Sequence, residues 1–283
     1  PGLMETRMLN ALDTETEAMV GRKPLEGRTA IVTGSTSGIG LGIAHAFARA
    51  GAAVMLNGFG NPAEIEFLRA EMASDNDVDV AYDPADMTRR EDIVMMAERA
   101  MKRFGQVDIV VNNAGIQHVS PIGTFPAEKW DAILAINLSS AFHLVQATFD
   151  GMCARGYGRI INVASAHGLI ASPFKSAYVA AKHGMVGFTK TIALEGAEFG
   201  VTSNAICPGY VWTPLVEQQI EAQAKSHNIA RDAVIRDVFL KNQPTKRFAT
   251  VEEMGALAVF LSSDLAGSIT GAAIPVDGGW TAH

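Results

Sequence analysis

Residues 29–40 read Thr29-Ala30-Ile31-Val32-Thr33-Gly34-Ser35-Thr36-Ser37-Gly38-Ile39-Gly40, a short apolar run that leads into a turn with glycines spaced Gly-x3-Gly-x-Gly. An amphipathic segment, Leu41 to Ala50, follows directly. Strand, glycine turn and helix in that order build an anion site. Gly34 permits the tight turn, Gly38 lets backbone approach a pyrophosphate, and Gly40 lets the helix pack close to the sheet. The first N–H groups of that helix then face the phosphate. Dinucleotide binding is the expectation from this stretch, although its spacing differs from the commoner Gly-x-Gly-x-x-Gly.

From Arg28 onward, apolar runs of strand length alternate with segments of 3.6-residue periodicity, the pattern of a parallel sheet covered by helices on both faces. Strands are expected near residues 29–33, 53–57, 78–82, 107–111, 159–163, 202–206 and 272–276, seven in all. Helices are expected over 62–73, 88–104, 127–154, 176–199 and 251–262, with Met95, Met96 and Met101 filling the core. The expected fold class is α/β: one Rossmann-type doubly wound domain over residues 24–283. Residues 1–23 read as an exposed arm, because Glu5, Asp13, Glu15 and Glu17 interrupt any apolar run. Residues 211–245 break the alternation with a helical insertion after the sixth strand. Ligands of open α/β sheets lie beyond the carboxyl ends of the strands, so this insertion is placed to act as a lid.

A net charge of −7 without a basic cluster argues against nucleic acid or an anionic membrane surface as partner. With 48% hydrophobic and 19% charged residues, the composition is that of a well-buried soluble protein. No apolar run approaches the roughly 18 residues of a membrane helix. Cys153 and Cys207 lie far apart, with no Cys-x-x-Cys and no Cys/His pairing at ligand spacing, so neither a disulfide scaffold nor a metal site is expected. A reducing cytoplasm and a small-molecule partner fit.

The groups that can carry chemistry fall at strand ends. Asn112-Asn113-Ala114-Gly115 follows the fourth strand, Asn137 lies in the long fifth helix, Ser165 follows the fifth strand, and Tyr178 and Lys182 open the next helix. With the turn at 33–40, Asp86, Pro208-Gly209, Thr213 and Val276-Asp277-Gly278-Gly279, they come in an order that resembles the short-chain dehydrogenase/reductase family from Leu25 to Trp280. Tyr178 and Lys182, four apart on a helix, share a face. An ammonium beside a phenol lowers its pKa from about 10 toward the working pH, which makes Tyr178 a usable general base. Ser165 would hydrogen-bond the reacting oxygen and share its charge. The resemblance implies that Lys182 also holds the nicotinamide ribose, and that Asn137 positions a water linking Lys182 to solvent.

The family resemblance further implies a cofactor cradle of Gly34, Ser35, Thr36, Ser37, Gly38, Ile39 and Gly40. Asp86 and Met87 would flank the adenine, and Asn113, Ala114 and Gly115 the adenosine ribose. Pro208, Gly209, Val211 and Thr213 would bind toward the other end, with Tyr178 and Lys182. Where an acid usually binds the ribose 2′-hydroxyl, this chain has Asn57-Gly58-Phe59-Gly60. No Lys or Arg occurs between Arg49 and Arg69, so a 2′-phosphate would find no counter-charge and NAD is the expected cofactor.

For the substrate, Gln117, His167 and Lys175 lie on loops that open on the same strand-end face, and Gln219 lies in the lid. Together they offer a positive charge and several donors, which suits a carboxylate. This set, with Ser165, Tyr178, Tyr210 and Trp280, resembles the substrate site of the D-3-hydroxybutyrate dehydrogenase branch of the family. Interconversion of (R)-3-hydroxybutyrate and acetoacetate is what that implies, in a homotetramer formed through the 127–154 and 176–199 helices. Those enzymes typically carry Trp where this chain has Tyr210, and here Trp212 appears two residues on. Two alternatives stay open: a reductase of an acyl thioester, sugar or cyclic ketone, and a non-catalytic dinucleotide-binding regulator.

Overall fold

The computed structural model describes residues 23–227 and 229–282. The arm expected before Pro24 therefore lies, except for Lys23, outside the described residues. Seven parallel strands form one sheet: β1 (Thr29–Val32), β2 (Ala53–Asn57), β3 (Val80–Asp83), β4 (Ile109–Asn112), β5 (Gly158–Val163), β6 (Val201–Pro208) and β7 (Ala273–Val276). Their order is β3-β2-β1-β4-β5-β6-β7. The chain winds outward from β1 to β3 and returns to set β4 beside β1, which leaves a crevice beyond the carboxyl ends of those two strands. β1, β4 and β5 are buried along their whole length, as strands covered on both faces must be.

Helices α1 (Gly38–Arg49) and α9 (Val251–Ser262) cover one face, where Ile43, Phe47, Val54, Met254 and Leu261 form the larger core. On the other face, Ile93, Met96, Leu144, Met152 and Ile192 come from α3 (Arg90–Phe104), α5 (Ser140–Arg155) and α6 (Ser176–Gly196). Helix α2 (Pro62–Asn76) follows β2 at the sheet margin. Met96 and Met101 fill this core as expected, but Met95 is exposed, because consecutive helical residues point about 100° apart and the buried stripe runs through Ile93, Met96, Ala97 and Ala100.

The long helix expected over 127–154 forms, running from Ala127 to Arg155 with a π turn inside it. That turn, at Ala135–Ser139, separates α4 (Ala127–Leu134) from α5 and carries Asn137. Contrary to the sequence expectation, the stretch Ala127–Arg155 is long and apolar enough by composition to cross a membrane. Its apolar residues Ile133, Leu144, Val145 and Met152 are spent on the protein core instead. The insertion after β6 is helical: α7 (Pro214–His227), then α8 (Arg231–Val234) and a second π turn, Ile235–Phe239. It carries its own small core of Ile220, Val234, Phe239 and Leu240, packed against Tyr210 and Phe248.

Candidate active site

The glycine turn is braced from β4. Thr33 Oγ1 accepts from the N–H groups of Asn113 (2.9 Å) and Ala114 (3.0 Å), while the Asn113 amide donates to the carbonyls of Thr33 (2.9 Å) and Gly34 (3.0 Å). A Cβ on Gly40 would overlap the Gly34 carbonyl oxygen and the Asn113 amide, so only glycine fits there. Ser35 is buried, its hydroxyl donating to the Val32 carbonyl (2.7 Å) and accepting from the Asn57 N–H (3.0 Å). The side chains of Ser35 and Asn113, both expected to bind cofactor, are thus spent on holding the turn.

At the start of α1 nothing competes for an anion: Ser37 makes no side-chain cap and the first turn holds no acidic residue. Thr213 stands over it, its methyl 3.6 Å from where a Gly38 Cβ would lie. This cradle fits a pyrophosphate. Gly209 and Val211 are tied to neighbouring strands and turns by their main chains, Gly209 to Val276 and Val211 to Ala249. Met87 is buried, and Asp86 accepts from the Thr88 N–H and hydroxyl (both 2.8 Å), which delays the start of α3 to Arg90. Asn57, in the place of the usual acid, is buried. Its Oδ1 accepts from Gly34 N–H (3.3 Å) and its Nδ2 donates to the carbonyls of Asp83 (3.1 Å) and Ala85 (3.0 Å). It is a structural tie between the glycine turn and the β3 loop, absent from the sequence expectations. The only signal was an amide where an acid is customary.

Ser165, Tyr178 and Lys182 come together at the end of β5. The Ser165 hydroxyl accepts from the His167 N–H (3.1 Å) and lies close enough to the Tyr178 phenol to favour its ionised form. The spacing of Tyr178 and Lys182 does put them on one face of α6, but the expected lowering of the phenol is absent. Burial pushes Tyr178 above its ordinary value, opposed by the nearby Ser165 hydroxyl. Lys182 is itself buried, donates to the Val163 carbonyl (2.7 Å) and stands 5.6 Å from the Tyr178 ring centre. Burial brings its pKa down to about 8. Asn137 is tied to the loop that follows β4. Its side chain accepts from the Ile116 N–H and donates to the Ile116 carbonyl (both 2.9 Å), so the amide is committed at both ends, and what it can offer a water is main chain in a π turn.

Facing the phenol is an aromatic wall. Tyr210 lies flat on Trp280, with ring centres 5.8 Å apart and planes within 9°. Trp280 meets the edge of His167 at 5.2 Å, His167 stands 6.1 Å from Tyr178, and Phe239 closes on Tyr210 at 5.0 Å. Phe239 was not anticipated from sequence, since nothing local marks it as more than a lid apolar. Trp212 lies outside this wall, half-exposed, against Phe248 (5.2 Å) and under Arg231 (5.6 Å).

His167 is 5% exposed and its Nε2 has no hydrogen-bond partner among the described residues. Burial first, then the charges of Lys175 and His183, hold it down to about 4, which leaves the imidazole neutral near pH 7. Lys175 is half-buried and shifted down by that burial. Gln117 and Gln219, the other two polar groups of the expected set, are both exposed. Cys207 is fully buried, its thiol pushed up to about 11 by burial, and behaves as a small apolar group.

The family model described as Enoyl-(Acyl carrier protein) reductase matches residues 34–281. The D-beta-hydroxybutyrate dehydrogenase of Rhizobium meliloti (strain 1021) is 56% identical over 256 residues, covering 90% of this chain and 99% of the relative. That of Cupriavidus necator is 55% identical over 260 residues, covering 92% and 100%. A solved gluconate-dehydrogenase candidate from Agrobacterium tumefaciens superposes with a TM-score of 0.82 at 33% identity, covering 92% of this chain and 98% of that one. Dehydrogenases of this kind use a nicotinamide dinucleotide and act on small molecules. The braced glycine turn, the Ser165, Tyr178 and Lys182 cluster and these relatives agree, and the chain belongs to the short-chain dehydrogenase/reductase family.

Proposed function

We propose that this chain is an NAD-dependent dehydrogenase interconverting (R)-3-hydroxybutyrate and acetoacetate. The observation that carries the reading is the pairing, around the Tyr178 phenol, of a half-buried lysine and an unpartnered buried histidine with an aromatic wall. A keto acid of four carbons has the matching parts: a carboxylate for Lys175 and His167, and a small apolar end for Tyr210 and Trp280. Two relatives more than half identical in sequence carry the D-beta-hydroxybutyrate dehydrogenase name.

In this reading the glycine turn and Thr213 hold the dinucleotide, which supplies or accepts the hydride when bound. During reduction, Tyr178, kept protonated by its burial, gives its proton to the carbonyl oxygen as that oxygen gains charge. Ser165 donates to the same oxygen and lowers the cost of the developing charge. Lys182 holds positive charge near the phenol, so that the phenolate left behind is tolerated and can accept a proton in the oxidative direction. Gln117 and Gln219 add donors when the lid, residues 211–245, closes. The lack of any Lys or Arg between Arg49 and Arg69 supports NAD over NADP.

A homotetramer through α4, α5 and α6 is part of the proposal, supported by Phe142 and Leu194 standing exposed on those helices. So is a cytoplasmic setting, which two free cysteines fit. The test is NADH oxidation with acetoacetate, an acetoacetyl thioester and a neutral methyl ketone side by side. Acetoacetate is expected to be reduced far faster than either. A preference for the thioester overturns the substrate assignment.

A further inference from the structure

Gln243 lies near the end of the 211–245 insertion, is fully buried, and has no role among those assigned above. A buried amide must satisfy both of its ends, and here each goes to main chain. Gln243 Oε1 accepts from the Tyr210 N–H (2.5 Å), and Nε2 donates to the Arg247 carbonyl (2.8 Å). The Tyr210 carbonyl in turn accepts from the Ala249 N–H (3.0 Å), so both main-chain polar groups of Tyr210 are held by the one segment 243–249. Gly209 leaves room for this arrangement, since a Cβ there would come 2.6 Å from Gln243 Oε1.

The same segment holds the second ring of the wall. The Thr245 N–H donates to the Gly278 carbonyl (3.1 Å), and a side chain on Gly278, at φ +62°, would overlap the Thr245 hydroxyl. Asp277, buried beside it, accepts from the N–H groups of Gly279 (3.0 Å) and Thr281 (2.9 Å) and so fixes the tail that carries Trp280. Residues 243–245 therefore grip the backbones under both stacked rings, Tyr210 through a side chain and Trp280 through a tight backbone contact.

We propose that Gln243 is the positioning residue of the substrate pocket: by fixing the main chain of Tyr210, it sets the offset stacking of Tyr210 on Trp280 that selects the length of the substrate's carbon chain. This rests on the reading of that wall given under Proposed function. It acts through Tyr210, so it carries no chemistry of its own.

The experiment compares wild type, Gln243→Leu, Gln243→Glu, Tyr210→Ala and the double variant Gln243→Leu/Tyr210→Ala. Each is assayed on four-carbon and six-carbon 3-oxo acids, with NADH affinity measured by direct titration. Gln243→Leu is expected to raise KM for the four-carbon acid about tenfold with a much smaller change in kcat, and to cut the preference over the six-carbon acid by about tenfold. NADH affinity stays at the wild-type value. Adding Gln243→Leu to Tyr210→Ala leaves the preference where Tyr210→Ala put it, because the two act as one unit. Gln243→Glu keeps the acceptor for the Tyr210 N–H and is expected to retain the preference within about threefold. A substrate-free reading comes from Trp280 emission in a Trp130→Phe/Trp212→Phe background, which is expected to shift in Gln243→Leu as it does in Tyr210→Ala. Additive losses in the double variant, or a wild-type preference in Gln243→Leu with unshifted emission, overturn the proposal. If Gln243→Leu does not fold, a tenfold loss of preference in Gln243→Glu without an emission shift overturns it as well. If wild type reduces neither acid, the fault lies with the substrate assignment, and the emission comparison still decides the role of Gln243.

Discussion

Lys182 turns its ammonium to the carbonyl of Val163 at 2.7 Å and leaves the Tyr178 ring centre 5.6 Å away. In this geometry the phenol is raised by burial while the lysine is lowered to about 8, so the resting pair holds a protonated phenol beside a weakened cation. Removing the ionisable oxygen should therefore stop turnover while disturbing little else. Tyr178→Phe is expected to lose activity by at least about a hundredfold with NADH affinity within about twofold of wild type. Single-turnover assays and NADH titration check both; a Phe variant with the wild-type rate removes Tyr178 from the mechanism.

His167 makes stability depend on acid. Its folded pKa of about 4 lies below the ordinary 6.5, so the unfolded chain binds more protons between those values. Its contribution is complete above pH 6.5 and falls as pH drops toward 4, by about 3 kcal/mol in all. His45 and His143 are also lowered by burial, so the difference between wild type and His167→Gln isolates the site. Denaturant unfolding at pH 4.5 and 7.5 is expected to show a smaller loss in His167→Gln. Equal losses would mean that His167 binds protons alike in the folded and the unfolded chain.

Asn57 occupies the place where many dinucleotide sites carry an acid, and its Nδ2 donates to two carbonyls in the interior. Asn57→Asp sets a carboxylate against those carbonyl oxygens. A loss of about 2–4 kcal/mol is expected, together with weaker NADH binding as the glycine turn loosens. Urea unfolding of the variant measures it, and unchanged stability would refute the structural role.

The missing cation after β2 should govern cofactor choice. With no Lys or Arg from residue 50 to 68, NAD is expected to exceed NADP in kcat/KM by about a hundredfold, the worth of a charge-assisted phosphate contact. Steady-state comparison of the two cofactors tests this, and comparable constants contradict it.

Lys175 and Gln219 should separate by kinetic effect. Lys175→Ala is expected to cost about 1.5–3 kcal/mol in kcat/KM on acetoacetate and much less on a neutral ketone. Gln219 is exposed on α7, in the insertion proposed to close over substrate. Gln219→Ala should then lower kcat as well as raise KM. Equal losses on both substrates would show that neither residue reads the carboxylate.

The features legible in sequence were those set by short spacing. The glycine turn, the seven strands and the shared face of Tyr178 and Lys182 follow from periodicity. What could not be read is where a polar side chain finds its partner across the fold. Lys182 had a closer acceptor in Val163, 19 residues back; the Asn137 amide is taken by Ile116, 21 residues before it; and Gln243 holds Tyr210 from 33 residues away. The Asn113 amide likewise reaches back across the fold to the carbonyls of Thr33 and Gly34. Met95 shows the same limit within one helix, where a one-residue step decides between core and solvent.

The bracing of Thr33 by Asn113 has a consequence for synthesis on the ribosome. Eighty residues separate the two, and the intervening chain includes β2 and β3. At translation rates of about 5–20 residues per second, Asn113 is added roughly 4–16 s after Thr33. Through that interval the nascent chain carries the glycines of a phosphate cradle without the groups that hold it open. Dinucleotide is therefore expected to protect a nascent chain only once β4 and Asn113 have emerged, and to leave a chain stalled short of Asn113 unprotected.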